Sequence, residues 1–235
     1  MSSVRAPSSG RRLLLAIEEA RSAVRREDGR EVPLGPKAAR TRAALLAAAH
    51  DVLCRQGYQH TAVSDIAEAA GVSLGTFYQY FRDRPDVMVA LVGDTIEGAL
   101  SSSRGTWRAD HGREGVVRSI VDFVAFYAGT AAFQAVWEEV THVDDRLASL
   151  RRDLSRVYVE ATAAELASAQ ARGLVRPEID PAATAVALSA MVDRHCYLTY
   201  VFDPPDPLPN PERTADLLAD LWVEAVGLVQ PEGQM

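Results

Sequence analysis

Cysteine is almost missing from this sequence of 235 residues, which holds only Cys54 and Cys196. Both stand inside helical apolar patterns, so they read as two buried thiols and exclude a disulfide framework. Long hydrophobic runs are missing too. No stretch approaches the roughly 18–20 uncharged apolar residues that cross a bilayer. Arg11-Arg12 before Leu13-Leu14-Leu15 imitates a secretory leader, but Glu18 and Glu19 end the run early and no small-residue cleavage site follows. A cytoplasmic chain with no membrane partner is expected. Of the 12 prolines, none falls between Lys37 and Arg84 and none between Asp86 and Arg176. Such proline-free spans, with apolar residues recurring at helical spacing, read as helices. No convincing strand pattern and no internal repeat appears.

Catalytic chemistry is equally thin. The histidines (His50, His60, His111, His142 and His195) are scattered, and no Glu or Cys stands at metal-ligand spacing from any of them. There is no Gly-rich phosphate loop, no Gly-x-Ser-x-Gly and no pair of catalytic carboxylates. No catalytic residue, metal, cofactor or enzymatic activity is expected.

What is present is ordinary globular composition, 48% hydrophobic and 24% charged, long enough for one or two domains with a real core. Net charge is −7 and unevenly spread. Residues 1–84 hold 13 Lys and Arg against 9 Asp and Glu, a net of +4, and residues 85–235 hold 12 against 23, a net of −11. A mildly basic head on an acidic body fits a chain that meets phosphate at one end only.

Along the chain, residues 1–10 have the composition of a disordered tail. Residues 11–28 set Leu14, Ile17, Ala20 and Val24 against Arg21, Arg25 and Arg26, the pattern of an amphipathic helix, which Gly29 to Pro36 breaks. A frayed, partly helical tail is the other reading of this arm. Lys37 to Gln56 reads as a helix with Leu45, Ala49, Val52 and Leu53 on its apolar face and Gly57 just past its end. Two short helices follow, then one over about 84–101 and a polar loop over 102–113. Helices are predicted over 114–129, 131–141, 144–172, 181–201 and 210–229, with a Gly-Pro break at 173–181 and a Pro-rich loop at 203–211.

The informative stretch runs from His60 to Arg84. Val63, Ile66, Ala67 and Ala70 face one way on a short helix, and small Ala67 lets a second helix cross closely. Gly71 frees the backbone for a tight turn, Val72 plugs it, and Ser73 caps the next helix with Thr76 at its third position. Phe77 and Phe81, four apart, point inward. That leaves Leu74, Gly75, Thr76, Tyr78, Gln79 and Tyr80 outward, an odd set for a mere surface. Gln pairs with adenine in the major groove, Tyr and Thr hydroxyls reach phosphate oxygens, and bare Gly75 near a helix N-terminus lets an anion come close.

These residues make a helix-turn-helix. Residues 37–100 resemble the N-terminal domain of the tetracycline-repressor (TetR) family, through Ile66-Ala67, Ala70-Gly71-Val72-Ser73 and Gly75-Thr76-Phe77-Tyr78-x-Tyr80-Phe81. The resemblance implies phosphate contacts from Thr76, Tyr78 and Arg84, and base contacts from Ser64, Leu74 and Gln79. Where the family often has Thr, Ala62 stands here, which shifts the expected helix cap to Thr61. Where the family usually has Lys, Arg84 keeps the charge. With Ser73, Gly75 and Tyr80 these complete the expected DNA-binding set. The expected division is an arm (1–36), a helix-turn-helix domain (37–84) and a helical ligand-binding and dimerisation domain (85–235), all-α throughout.

In the second domain the resemblance implies dimerisation and ligand sensing. Apolar stripes mark the last two helices, from which Leu188, Val192, Leu218, Leu221, Trp222 and Ala225 are expected at a dimer interface. The other reading of both stripes is the monomer's own core. Phe123, Phe126, Tyr127, Phe133, Trp137, Tyr158, Met191, Asp193 and Tyr197 are the candidate lining of an aromatic, largely apolar effector cavity. Asp193-Arg194 lies mid-helix as a candidate internal or intersubunit ion pair. Ala187 to Arg194 and Leu221-Trp222-Val223 are similar to the subgroup containing the repressor of ethionamide activation, whose ligand tunnel is long and apolar. Its ligand-bonding amides are replaced here by Ser189 and Val192, so its ligand preference does not carry over. The resulting expectation is a homodimeric repressor, bound to a palindromic operator in double-stranded DNA and released by a small hydrophobic or aromatic effector. The rival is a helical interaction or architectural protein with a filled core.

Overall fold

The computed structural model describes residues 23–25, 31–33, 35–102 and 107–229. Among these residues stand nine α-helices: α1 (Pro36–Gln56), α2 (Val63–Ala69), α3 (Leu74–Tyr80), α4 (Arg84–Ser102), α5 (Gly112–Gly129), α6 (Ala131–Val140), α7 (Asp145–Ala171), α8 (Pro181–Tyr197) and α9 (Pro211–Val226). A short 3₁₀ turn (Ala109–His111) leads into α5, and a π-helical turn (Leu198–Phe202) extends α8. The expected all-α class holds.

One exception corrects the sequence reading. Ala23–Arg25 and Glu31–Pro33 form a two-stranded antiparallel ribbon, β1 and β2, with Val24 opposite Val32. The helix expected over residues 11–28 is therefore wrong at its C-terminal end, and its remaining residues lie outside the described ones. Two β-branched valines flank an Asp28-Gly29 pair, a strong short-range hairpin signal that the helical periodicity masked. β1 runs beside α3.

Local chemistry explains most helix ends. α1 opens on Pro36, where a missing N–H is harmless, and stops at Gly57, whose φ of 79° suits a residue without Cβ. Gly71 (φ 67°) turns the chain between α2 and α3. The Asp180 carboxylate accepts the amides of Ala182 and Ala183 at the head of α8, and the Asn210 side chain accepts that of Glu212 at the head of α9.

The chain divides into two compact units. The first takes residues 1–97 and 135–154; the second takes 98–134 and 155–235. The unit that holds residues 37–84 thus also takes in 85–97 and 135–154. In the first unit the predicted α1 face (Leu45, Ala49, Val52, Leu53) is buried together with Ile66, Ala67, Phe77, Phe81, Val87 and Met88.

In the second unit α5 packs along α9, and α8 meets both. Its core joins Val116, Ile120 and Val124 of α5 to Leu188 and Val192 of α8 and Leu218 and Trp222 of α9. Trp107, in the loop expected to be polar surface, is buried with its ring edge-on to Trp222 at 4.5 Å. Such an aromatic pair adds about 0.5–1.5 kcal/mol beyond its buried area. Cys196 sits in this core, and burial, helped by the Asp193 carboxylate, pushes its thiol up to about 12. Cys54 is only half-buried, 3.8 Å from His50 Nε2, so the reading of two buried thiols holds for Cys196 alone.

α3 contains an internal contrast that can be measured. Phe77 is fully buried and Gln79, two residues on, is exposed. Phe77→Ala is expected to lower the unfolding free energy by about 3–5 kcal/mol. Gln79→Ala is expected to change it by less than about 0.5 kcal/mol. Urea denaturation of both variants checks this.

Candidate nucleic-acid interface

α2, the turn at Gly71 and α3 form the candidate interface. α2 starts without a side-chain cap from Ala62. Asp65 compensates: its carboxylate accepts the Ala62 N–H at 2.8 Å and the Gln56 amide at 3.2 Å. Thr61, expected as the cap, does not cap α2. It is 1% exposed and its hydroxyl donates back to the Gly57 carbonyl at 2.7 Å, locking the turn before α2. Ser64 is exposed on α2.

α3 divides sharply between its two faces. Inward, the rings of Phe77 and Phe81 lie 5.7 Å apart, and the Arg42 guanidinium rests over Phe81. Outward, Leu74 and Tyr78 are 45% and 50% exposed, and Ser73, Gly75 and Gln79 are exposed with them. Thr76 and Tyr80 are half-buried. Ser73 Oγ accepts the Thr76 N–H at 3.1 Å, as expected of the cap, and lies 2.9 Å from the Thr76 hydroxyl. A Cβ added at Gly75 would meet nothing nearer than Ser73 Oγ at 3.8 Å. The chain's own packing therefore does not require glycine there; its bare backbone opens on solvent. Hydroxyls, an amide and uncovered backbone on one exposed helical face match what base edges and phosphates accept.

Arg84 departs from expectation. It is half-buried, and its guanidinium donates to the Tyr58 and Thr61 carbonyls while lying 3.9 Å over the Tyr58 ring. With that nitrogen turned inward it braces the turn before α2. Beyond it, Asp83 accepts the Asp86 N–H at 2.8 Å at the head of α4. Arg146 of α7 bridges Asp83 at 3.1 Å and Asp86 at 3.2 Å, and Arg82 pairs with Asp86 at 2.7 Å. Burial pushes Asp86 up, but the hydrogen bonds from the Arg82 side chain and backbone, with the charges of Arg82 and Arg146, hold its carboxyl below the usual range.

A contact that sequence reasoning missed completes the unit. The Glu139 carboxylate of α6 accepts the amides of Tyr58 and Gln59 at 2.8 and 2.9 Å. No local pattern announces it, because the partners stand 81 and 80 residues apart.

The candidate effector residues scatter more than expected. Tyr127 is in the second unit's core, with Phe123, Met191 and Tyr197 against it, and the Phe123 and Tyr127 rings are 5.8 Å apart. Phe133 is buried, and Phe126 and Asp193 are half-buried. The Arg194 guanidinium rests over the Tyr197 ring. Trp137 belongs to the first unit, and Tyr158 is 43% exposed. A groove of about 620 Å³ lies elsewhere, on the first unit between α1 and α4, lined by Ala39, Ala43, Leu46 and Leu91 among others.

The expected dimer residues split likewise. Leu188, Val192, Leu218 and Trp222 are at most 6% exposed, so they serve the chain's own core. Leu221 is 50% exposed, and Ala225 is exposed one turn on. Leu217 and Val186, at 52% and 55%, were missing from the expected set because the apolar stripe of each helix is wider than its buried part.

The fold and this face define a helix-turn-helix DNA-binding protein. Residues 45–91 match the family described as bacterial regulatory proteins, tetR family. Over 191 residues, 78% of this chain and 85% of the relative, the sequence is 27% identical to the HTH-type transcriptional regulator EthR of Mycobacterium tuberculosis. It is 28% identical over 168 residues to the HTH-type transcriptional repressor BepR of Brucella suis, covering 66% of this chain and 78% of that one. In fold it is similar to Salmonella enterica GusR, with a TM-score of 0.66 at 18% identity over 83% of this chain and 98% of that one. Residues 45–91 thus carry a tetR-family helix-turn-helix region, and the chain is similar over most of its length to HTH-type transcriptional regulators. Proteins of this kind are DNA-binding regulators and not enzymes. Among the described residues no single helix is long and apolar enough to cross a membrane.

The Asp86 ion pairs give this unit a pH signature. A carboxyl held below its unfolded value of about 3.9 contributes stability that is present above that value and lost as pH falls through the lowered one. The urea midpoint of the wild type is expected to fall on acidification through this range, and Asp86→Asn is expected to flatten that fall. An equal slope in both proteins would contradict the assignment.

Proposed function

We propose that the chain is a homodimeric, cytoplasmic repressor that reads a palindromic operator with α3 of each subunit and leaves DNA when a small apolar or aromatic effector binds. The observation that carries this reading is the two-sided build of α3. Its back is anchored by Phe77 and Phe81, while Leu74, Tyr78 and Gln79 stand exposed, the Tyr78 ring resting edge-on to Phe77. In this reading residues 37–84 hold the DNA-reading motif, with Gln79, Leu74 and Ser64 at base edges and Thr76, Tyr78, Tyr80, Ser73 and the Gly75 backbone at phosphates. Residues 85–235 supply dimerisation and effector binding, and β1 lies beside α3.

The exposed apolar surface supports dimerisation. Leu217, Leu221 and Ala225 follow one another at four-residue spacing on α9, and Ala183, Val186, Ala187 and Ala190 make a flat exposed strip on α8. Two such helices from each subunit form a four-helix interface, and two-fold symmetry calls for a palindromic site. Phe123, Phe126, Tyr127, Phe133, Met191 and Tyr197 support an aromatic effector, which acts as a switch only if it prefers one arrangement of the two heads.

Two experiments test this reading. A gel-shift titration with DNA from upstream of the gene is expected to show salt-sensitive binding. Gln79→Ala is expected to lose about 1–3 kcal/mol and to relax preference at one base pair. Tyr78→Ala is expected to weaken binding evenly across sequences. A double variant that binds as the wild type does would refute α3 as the reader. Separately, Leu221→Glu is expected to sediment as a monomer and to lose tight operator binding; a dimer that persists would refute the α8–α9 interface.

A further inference from the structure

Both ends of the α2–turn–α3 block are held by one hairpin, the end of α6 and the start of α7, and neither hold touches the DNA-reading face. On the entry side the Glu139 carboxylate takes the Tyr58 and Gln59 amides at 2.8 and 2.9 Å. Two amides converging on one carboxylate is a charge-assisted pair, stronger than neutral hydrogen bonds. The approach depends on Gly57: a Cβ there would stand 3.0 Å from Glu139 Oε2, and its φ of 79° is strained for any other residue. From the opposite side Arg84 takes the Tyr58 and Thr61 carbonyls. The turn thus has an anion on its amides and a cation on its carbonyls, each complementing the peptide dipoles. On the exit side Arg146 holds Asp83 and Asp86, which cap the start of α4 just after α3 ends. The hairpin is itself tied by the Glu138–Arg151 ion pair at 2.7 Å.

We infer that Glu139 and Arg146 are positioning residues for DNA reading: they fix the angle of α2 and α3 from behind, so that removing either weakens operator binding while sequence preference stays intact. The inference rests on the DNA-binding reading above. A head with a net charge of only +4, arm included, has few contacts to lose, so a small error in the angle of α3 forfeits a large share of them.

The test compares wild type, E139A, E139Q and R146A on the upstream fragment and on a set of point-mutated fragments. A stoichiometric titration first sets the binding-competent fraction, so that partial unfolding does not pass for weak binding. Per competent molecule, E139A and R146A are expected to bind roughly tenfold more weakly while ranking the mutated fragments as the wild type does. E139Q keeps the side-chain shape and one acceptor oxygen and is expected to recover part of the loss. Hydrogen exchange is expected to speed up at the Tyr58 and Gln59 amides in E139A. Should E139A fail to fold, E139Q carries the same test with a smaller loss. Wild-type affinity per competent molecule in the folded variants would overturn the inference. A wild-type protein that fails to shift the fragment would count instead against the DNA-binding reading.

Discussion

A helix of seven residues has no stability of its own in water, because the first turn of any helix is expensive to nucleate. α3 is such a helix, and it exists where it does because Phe77 and Phe81 are buried against the first unit's core while Ser73 caps its start. Everything functional follows from that anchorage. Two large rings four residues apart fix the rotation of the helix, and the rotation decides which side chains face out. A helix turned by one residue would bury Tyr78 and expose Phe77. Leu74, Tyr78 and Gln79 are presented because the phenylalanines opposite them are not free to move.

The electrostatics of the head follow the same economy of parts. Arg82 is paired with Asp86, Arg84 is turned onto two carbonyls, and Arg42 is buried over Phe81. Several cations that a charge count would assign to phosphate are thus internal braces, which leaves less free positive charge than the net +4 suggests. Affinity then has to come from geometry: hydroxyls, one amide and open backbone held at a set angle. The Asp83–Asp86–Arg146 and Glu139 contacts gain importance from this, since an interface poor in charge has little tolerance for misplacement.

Much of this was legible in the sequence, and the failures have physical causes. Helix boundaries, the Gly57 and Gly71 turns, the Ser73 cap and the inward Phe77–Phe81 pair rest on local chemistry, and the structure bears them out. Thr61, Arg84 and Glu139 rest on contacts between residues far apart in the chain or on the direction a side chain takes, and periodicity carries neither. Leu188, Val192, Leu218 and Trp222 were misplaced because a helix buried on a wide face shows one apolar stripe, whether part of it meets the core or a second subunit. Trp107 was lost in a polar, Gly-containing loop although it packs on Trp222. The β1–β2 ribbon was overruled by a helical pattern that spans only a few turns.

The central claim is that the outward face of α3 lies on bases. Placing a photo-crosslinking side chain at position 79, with position 212 on the exposed start of α9 as the control, tests it most directly. On irradiation with operator DNA the account predicts an adduct to a base from position 79 and none from position 212. An adduct from 212 with none from 79 would contradict it.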